Sequence, residues 1–337
     1  MVSATLCIGK RMNKKNCTHS IIDCVGNTPL VRLTHVADDI PGEVFAKLEF
    51  LNPMGSSKDR IARYMIEKAE KEGKIKKGDL IIENSSGNTA MGLALIAIQK
   101  GYRLKVIVRD RISREKLDQL KALGVEIHTV DSSLPPESPD SYNNITPRLA
   151  RETPNCYFPD QHNNRDNNEA HYRGTGPEIW EQMQGKIDYF VAGIGTGGTI
   201  GGTARYLKEK DPCIRVIAVD PVGSVFYDNF QHHENVRSAP YLLEGLGDEF
   251  MIHCADFSVI DEMVQVTDKE AFMAARELAR REGILAGGSS GAALWGVRQL
   301  AKKLDRPARI VTVFPDGASR YLSTIYNDEW LKDKGMM

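Results

Sequence analysis

Lys58 follows a run of small residues in LNPMGSSKDR (51–60) and is followed at once by Asp59 and Arg60. Such a lysine is either a solvated charge in a helix's first turn or an amine held for chemistry. Positive charge is unfavourable beside a helix N-terminus, which favours a neutral amine or imine at this position. Three further turns could complete a site. In ENSSGNTAMGLAL (83–95) an apolar run passes through Asn84, Ser85, Ser86, Gly87, Asn88 and Thr89 into a helical pattern. One Ser or Asn would suffice as a cap. A longer run of short polar residues leaves backbone N–H groups uncovered and suits an anion such as a carboxylate. In FVAGIGTGGTIGGTARYL (190–207), Gly193, Gly195, Gly197, Gly198, Gly201 and Gly202 cluster around Thr196 and Thr199. Backbone amides with no Cβ in the way can close over a phosphate. In ILAGGSSGAALWG (284–296) a short expected strand meets glycines, Ser289, Ser290 and another helix; a hydroxyl there either bonds a ligand or caps.

The glycine-rich turn also satisfies a dinucleotide fingerprint. Gly193, Gly195 and Gly198 have the G-x-G-x-x-G spacing, and Asp220 ends the next strand. A nicotinamide dehydrogenase would use that turn alone and leaves Lys58, the Ser/Asn/Thr loop and Ser289 without work. Pyridoxal 5'-phosphate uses all four: a lysine for its imine, a backbone cradle for its phosphate, a partner for its ring nitrogen and a site for the substrate carboxylate.

Elements able to hold these turns together follow from the apolar pattern. Strands are expected at 43–50, 80–83, 104–109, 126–130, 189–192, 216–220 and 309–314, and helices at 59–72, 90–100, 114–123, 204–210 and 269–282. That alternation is the mark of parallel sheets covered by helices, whose ligands gather beyond the carboxyl ends of strands. SSLPPESPD (132–140) and the stretch 231–241 read as irregular surface segments. Two sheets are expected, with a boundary near 155–161.

Four motifs in order carry a resemblance over nearly the whole chain, from about residue 22 onward: GNTPLVRL (26–33) with LEFLNPMGSSKDR, ENSSGNTAMGLAL, GTGGTIGG and AGGSSGA. The sequence resembles the fold-type II pyridoxal phosphate enzymes of the cystathionine β-synthase and cysteine synthase family. SPDSYNN (138–144) and RYLSTIYNDEWLKDKG (320–335) are more similar to a cystathionine β-synthase catalytic core. The paired regulatory domains that follow the core in many such enzymes find no match, and Cys7, Cys17 and His19 do not match their haem-binding segment.

The resemblance implies an α/β fold of two three-layer α/β/α domains with mostly parallel twisted sheets. A mobile tail (1–20) would precede a smaller N-terminal domain (43–159), and the larger phosphate-binding domain would comprise 21–42 with 160–337. It further implies Lys58 as the imine lysine, Asn88 on the ring's phenolic oxygen, and Gly195, Thr196, Gly197, Gly198 and Thr199 on the phosphate. Ser289 would face the pyridine nitrogen. Ser85, Ser86, Gly87 and Thr89, with Gln161, would hold the substrate carboxylate, and Gly245 in EGLG (244–247) would line the amino-group side. The implied reaction is β-replacement on L-serine or an O-activated serine, with homocysteine or sulfide as acceptor. Same-fold alternatives are a cysteine β-lyase, lanthionine or diaminopropionate-type synthase, with a non-catalytic binding protein further off.

Departures from the family pattern fall around the substrate. Asn84–Ser85–Ser86 stands for Pro-Thr-Ser, and Ala90 replaces a common glycine. Met54 and Ser57 differ before the lysine, and His162 takes a position usually held by Tyr or Phe.

Bulk properties agree with a small-molecule enzyme. The 337 residues suffice for two cored domains, and a net charge of -1 gives no electrostatic case for nucleic acid. No apolar run reaches the length of a membrane span. Six scattered cysteines without a CxxC pair suggest reduced thiols in the cytoplasm. No metal is expected, and the resemblance implies a homodimer.

Overall fold

The computed structural model describes residues 18–135, 137–233 and 236–337; Cys7, Cys17 and nearly all of the expected tail lie outside them. In chain order the elements are β1 (Leu30–Leu33), β2 (Gly42–Leu48), α1 (Lys58–Lys71), β3 (Leu80–Asn84), α2 (Asn88–Lys100), β4 (Arg103–Arg109), α3 (Arg114–Ala122), β5 (Glu126–Val130), α4 (Tyr142–Glu152) and β6 (Cys156–Tyr157). There follow α5 (Asp166–Arg173), α6 (Thr175–Gln182), β7 (Tyr189–Gly193), α7 (Gly198–Lys210), β8 (Arg215–Pro221), α8 (Phe226–Phe230) and β9 (Glu262–Val266). The chain ends with α9 (Asp268–Glu277), α10 (Gly288–Ala301), β10 (Ala308–Phe314) and α11 (Asp328–Asp333).

The larger sheet runs β1-β2-β10-β7-β8-β9 and the smaller β5-β4-β3-β6; every pairing is parallel except β1 with β2. Strands buried on both faces must be apolar throughout, and side-chain alternation then sends neighbours to opposite layers. Val191, Ile217, Val219 and Ile310 pack under α9 and α10, while Phe190, Ala192, Val216, Ala218, Val311 and Val313 pack under α6 and α7. In the smaller sheet Ile81, Val106 and Val108 face α1, α2 and α3, and Ile82 and Ile107 face α4. The two α/β/α stacks are as expected.

Three expectations need correction. The strand expected to open the smaller domain, β2, belongs to the larger sheet, where all seven of its residues pair with β10. Its partner lies far along the sequence, so local pattern could not assign it. The turn at 284–296 is not a strand-to-helix turn. Helix α9 runs into a π-helical stretch, Leu278–Glu282, and only the isolated bridge Ala286 to Gly317 precedes α10. Finally, α7 starts at Gly198, earlier than 204, because the glycines are its first turns.

Candidate active site

Lys58 is the first residue of α1 and is pinned from two sides. Its N–H donates to Ser56 Oγ (3.2 Å), the Ser57 N–H donates to Pro315 O (2.8 Å), and Ser56 bridges Asp316. Arg320 Nη2 donates to Met54 O (2.8 Å). The loop leaving β10 therefore clamps the loop entering α1. On the far side α2 comes so close that a Cβ on Gly92 would stand 2.9 Å from the Lys58 carbonyl oxygen. Burial lowers the Lys58 pKa below a lysine's ordinary value, against the opposing pull of the Asp316 and Glu49 carboxylates. Beneath it, Arg60 is bound by Glu49 (2.6 Å) and Glu178 (2.7 Å), which anchors the helix start in a buried ion-pair network.

The β7–α7 turn forms one wall. Gly197 adopts φ +78°, a conformation that side chains rarely take, and presents the start of α7. Helix α5 fixes this turn from behind. Asn167 Nδ2 donates to Thr196 Oγ1 (2.9 Å), Asn168 Nδ2 reaches Gly197 O (3.4 Å), and His171 Nε2 lies 3.2 Å from Thr199 Oγ1. His171 is fully buried, and that burial pushes its pKa down to about 3. Lys58, Gly195, Thr196, Gly197, Thr199 and Gly245 border one recess at this turn.

The β3–α2 turn forms the opposite wall. Ser85 Oγ accepts from the Gly87 and Ala90 N–H groups (both 3.3 Å), and Thr89 Oγ1 donates to Gln161 Oε1 (2.5 Å). Asn88 Nδ2 donates to Asp316 Oδ2 (2.8 Å), leaving Asn88 Oδ1 buried without a partner. Asp316 also accepts from Tyr321 Oη (2.7 Å) and from Ser289 Oγ at the start of α10 (3.5 Å). Burial raises the Asp316 pKa, and the Asn88 and Tyr321 hydrogen bonds oppose the rise.

Between the walls lies a cleft of about 900 Å3. Of the residues singled out from sequence, Lys58, Ser85, Ser86, Gly87, Asn88, Thr89, Gln161, Gly195, Thr196, Gly245 and Ser289 line it. Gly197 and Thr199 border the recess instead, and Gly198 starts α7 behind them. Several lining residues were not singled out from sequence: Asp316, Arg109, Arg111, Lys116 and Asp248, with Tyr142 and Tyr321 present only within the two stretches similar to the family core. Asp316 leaves the end of a strand, so a search of strand-end loops could have found it. Lys116 on α3 pairs with Glu244 across the cleft and sits 5.6 Å from the centre of the Tyr321 ring. Arg109 lies 4.7 Å over the Tyr142 ring and 4.0 Å from Glu249. Asp220 is not in the cleft wall. It is fully buried and accepts from the Tyr227 N–H (2.9 Å), so the acidic residue of the apparent dinucleotide fingerprint is used internally. Among the described residues no cluster suits a metal ion, and no helix is long and apolar enough to cross a membrane.

Comparison with known proteins gives concordant results. The model of a family described as pyridoxal-phosphate dependent enzyme matches residues 21–316. A cystathionine beta-synthase of Dictyostelium discoideum is 42% identical over 324 residues, 96% of this chain and 65% of the relative. That of Saccharomyces cerevisiae is 41% identical over 332 residues, 94% of this chain and 65% of the relative. The chain thus spans about two thirds or less of these curated relatives. A crystal structure of a hydrogen sulfide-producing enzyme from Fusobacterium nucleatum superposes with a TM-score of 0.84 at 36% identity, covering 91% of this chain and 99% of that one.

Proposed function

The chain belongs to the pyridoxal-phosphate-dependent enzymes, and from that premise we propose that it catalyses β-replacement on L-serine or an O-activated serine, with a thiol as acceptor. The observation that carries the proposal is a buried, pKa-lowered Lys58 held between a backbone cradle and a Ser/Asn/Thr loop in one cleft. The residues fit the cofactor. Asn88 Oδ1 is an unpartnered buried acceptor, and the cradle glycines have no room for a Cβ. In this reading Lys58 would carry the cofactor, Asn88 would meet its phenolic oxygen, Gly195 to Thr199 would hold its phosphate at the start of α7 and Ser289 would serve its ring nitrogen.

When bound, the cofactor supplies an electron sink that eases loss of the substrate's α-proton and β-substituent. The protein's share is binding and proton transfer. Ser85, Ser86, Gly87, Thr89 and Gln161 orient the substrate carboxylate, and Gly245 borders its amino group. The Lys58 amine, whose pKa burial lowers, is placed to take the proton from Cα. The cystathionine beta-synthase relatives favour homocysteine as acceptor. The Fusobacterium enzyme, matched over 99% of its length, favours a second reading in which cysteine is the donor and hydrogen sulfide the product that leaves. The same reading has the protein act as a cytoplasmic homodimer, which sedimentation velocity tests for the assembly.

The test is a visible spectrum of the purified protein, with its absorbance lost on borohydride treatment. Titration with L-serine, O-acetylserine, O-phosphoserine and cysteine follows, and then homocysteine or sulfide. Donor-induced spectral changes reversed by a thiol support the proposal. A protein that stays colourless with added cofactor, or responds to no donor, sinks it.

A further inference from the structure

His162 follows Gln161 in the cleft wall, and its Nε2 stands 4.0 Å from Asp248 Oδ2. The two come from different parts of the chain, and each backbone is tied down. The His162 carbonyl accepts from the Cys254 N–H (3.1 Å). The Asp248 N–H donates to Ser224 Oγ (3.2 Å), and its carbonyl accepts from the Val225 N–H (3.1 Å). Asp248 Oδ1 accepts from the Glu249 N–H (2.7 Å), and the Phe250 N–H also supports the carboxylate. The side chains are only 25% and 16% exposed, so the pair is shielded while still bordering the cleft.

Lys58 on α1 disfavours the imidazolium, and Asp160 on the preceding segment favours it. Beside Asp248 stands Glu249, itself 4.0 Å from Arg109, with the Tyr142 and Tyr241 hydroxyls further round. Burial lowers the His162 pKa and raises that of Asp248, and the attraction between the two opposes both shifts. Burial thus favours the neutral ring, and Asp248 stands where it can hold the cation the ring becomes. Catalytic hydrogen bonds are often long in ligand-free sites and tighten when substrate binds.

We propose that His162 and Asp248 form a general-base pair for the acceptor nucleophile. The acceptor's S–H bond breaks, its proton goes to Nδ1 of His162 and the bond's electron pair stays on sulfur. Nε2–H of the resulting imidazolium donates to Asp248, and the proton passes to water after the product leaves. This deepens the β-replacement reading and rests on it. The mechanism up to departure of the donor's β-substituent makes no use of the pair. Nor do the cofactor contacts.

The experiment has two readouts. In the cofactor-free protein, NMR titration of the His162 ring compares the native chain with Asp248→Asn. The midpoint falls in the variant if the carboxylate supports the imidazolium; an unchanged midpoint overturns the pairing. In the loaded enzyme, His162→Gln and Asp248→Asn are assayed with L-serine and L-homocysteine across pH. General-base loss lowers kcat on the order of 100-fold near pH 7. The deficit narrows above the ordinary thiol pKa of about 8.5, where the acceptor is already ionised. A deficit equal at every pH marks a structural role and overturns the proposal. The spectral response of the native enzyme to L-serine alone is the separate check: its absence counts against β-replacement itself, whatever the NMR shows.

Discussion

At the β7–α7 turn the cleft wall is backbone, and at the β3–α2 turn it is side chain. A Cβ on Gly195 would stand 2.2 Å from Gly245 O, one on Gly197 2.3 Å from Cys254 O, and one on Gly198 1.7 Å from Asn167 Oδ1. At Gly87 an added Cβ meets nothing within 4 Å. The first turn is packed against α5 and the loop at 254, as tightly as a protein interior. The second opens into the cleft and leaves Asn84 Oδ1 and Asn88 Oδ1 without partners. A wall of packed backbone suits a ligand that stays. A wall of short polar side chains suits one that comes and goes, and it can change without disturbing its neighbour. Three of the departures from the family pattern, Asn84, Ser85 and Ala90, lie on that second side.

Gly198→Ala should break the contrast most strongly. The new methyl overlaps the Asn167 side-chain amide, which must give up its bonds to Gln161 O and Thr196 Oγ1 or push α5 away from α7, at a cost of about 3 kcal/mol or a 100-fold weaker grip on the cofactor. Fluorescence titration of the cofactor-free protein measures it. Gly87→Ala, the matched control on the other wall, should leave cofactor affinity unchanged and alter only the donor KM. Equal losses at both positions would erase the distinction.

A second effect, of similar size, concerns polar burial on the cradle's side of the molecule. Burial lifts the Asp220 pKa from 3.8 to about 7. Between those values the unfolded chain gives up the proton and the folded chain keeps it, so stability falls as pH rises through this window and stays low above it. Asp220→Asn should therefore leave stability at pH 4 unchanged and raise it by about 2–4 kcal/mol at pH 8, given 1.36 kcal/mol per pH unit. Urea melts at the two pH values test this, and a gain at pH 4 would point to another cause.

The smallest effect belongs to the cleft-facing side. Lys116 is shielded, but Glu244 is 53% exposed, so water weakens their pairing across the cleft. A double-mutant cycle with Lys116→Met and Glu244→Gln, read in the donor KM, should give a coupling of about 0.2–1 kcal/mol. Coupling well above that range would make the pair a true latch between the two stacks.

Much of this was legible in the sequence. Strand–helix alternation implied the two covered parallel sheets, and the polar and glycine runs at residues 84–89 and 195–199 broke that alternation where ligand-binding loops occur. Asp316 was not legible. Within FPDG it reads as a turn residue, and its importance arises only where the end of β10 meets α2 and α10. The Asp220 fingerprint shows the same in reverse: its spacing matches, but the side chain turns inward to Tyr227.

Local chemistry thus decided what each segment could become. Apolar alternation made strands, glycine made an open turn at Gly197, and Lys58 began a helix that disfavours its charge. Tertiary packing decided what met what: β2 with β10, Asn88 with Asp316 across 228 residues and Lys116 with Glu244 across 128. Conformational preference acts over a few neighbouring residues, whereas such meetings depend on which apolar faces must be buried together. Only the folded chain contains that information.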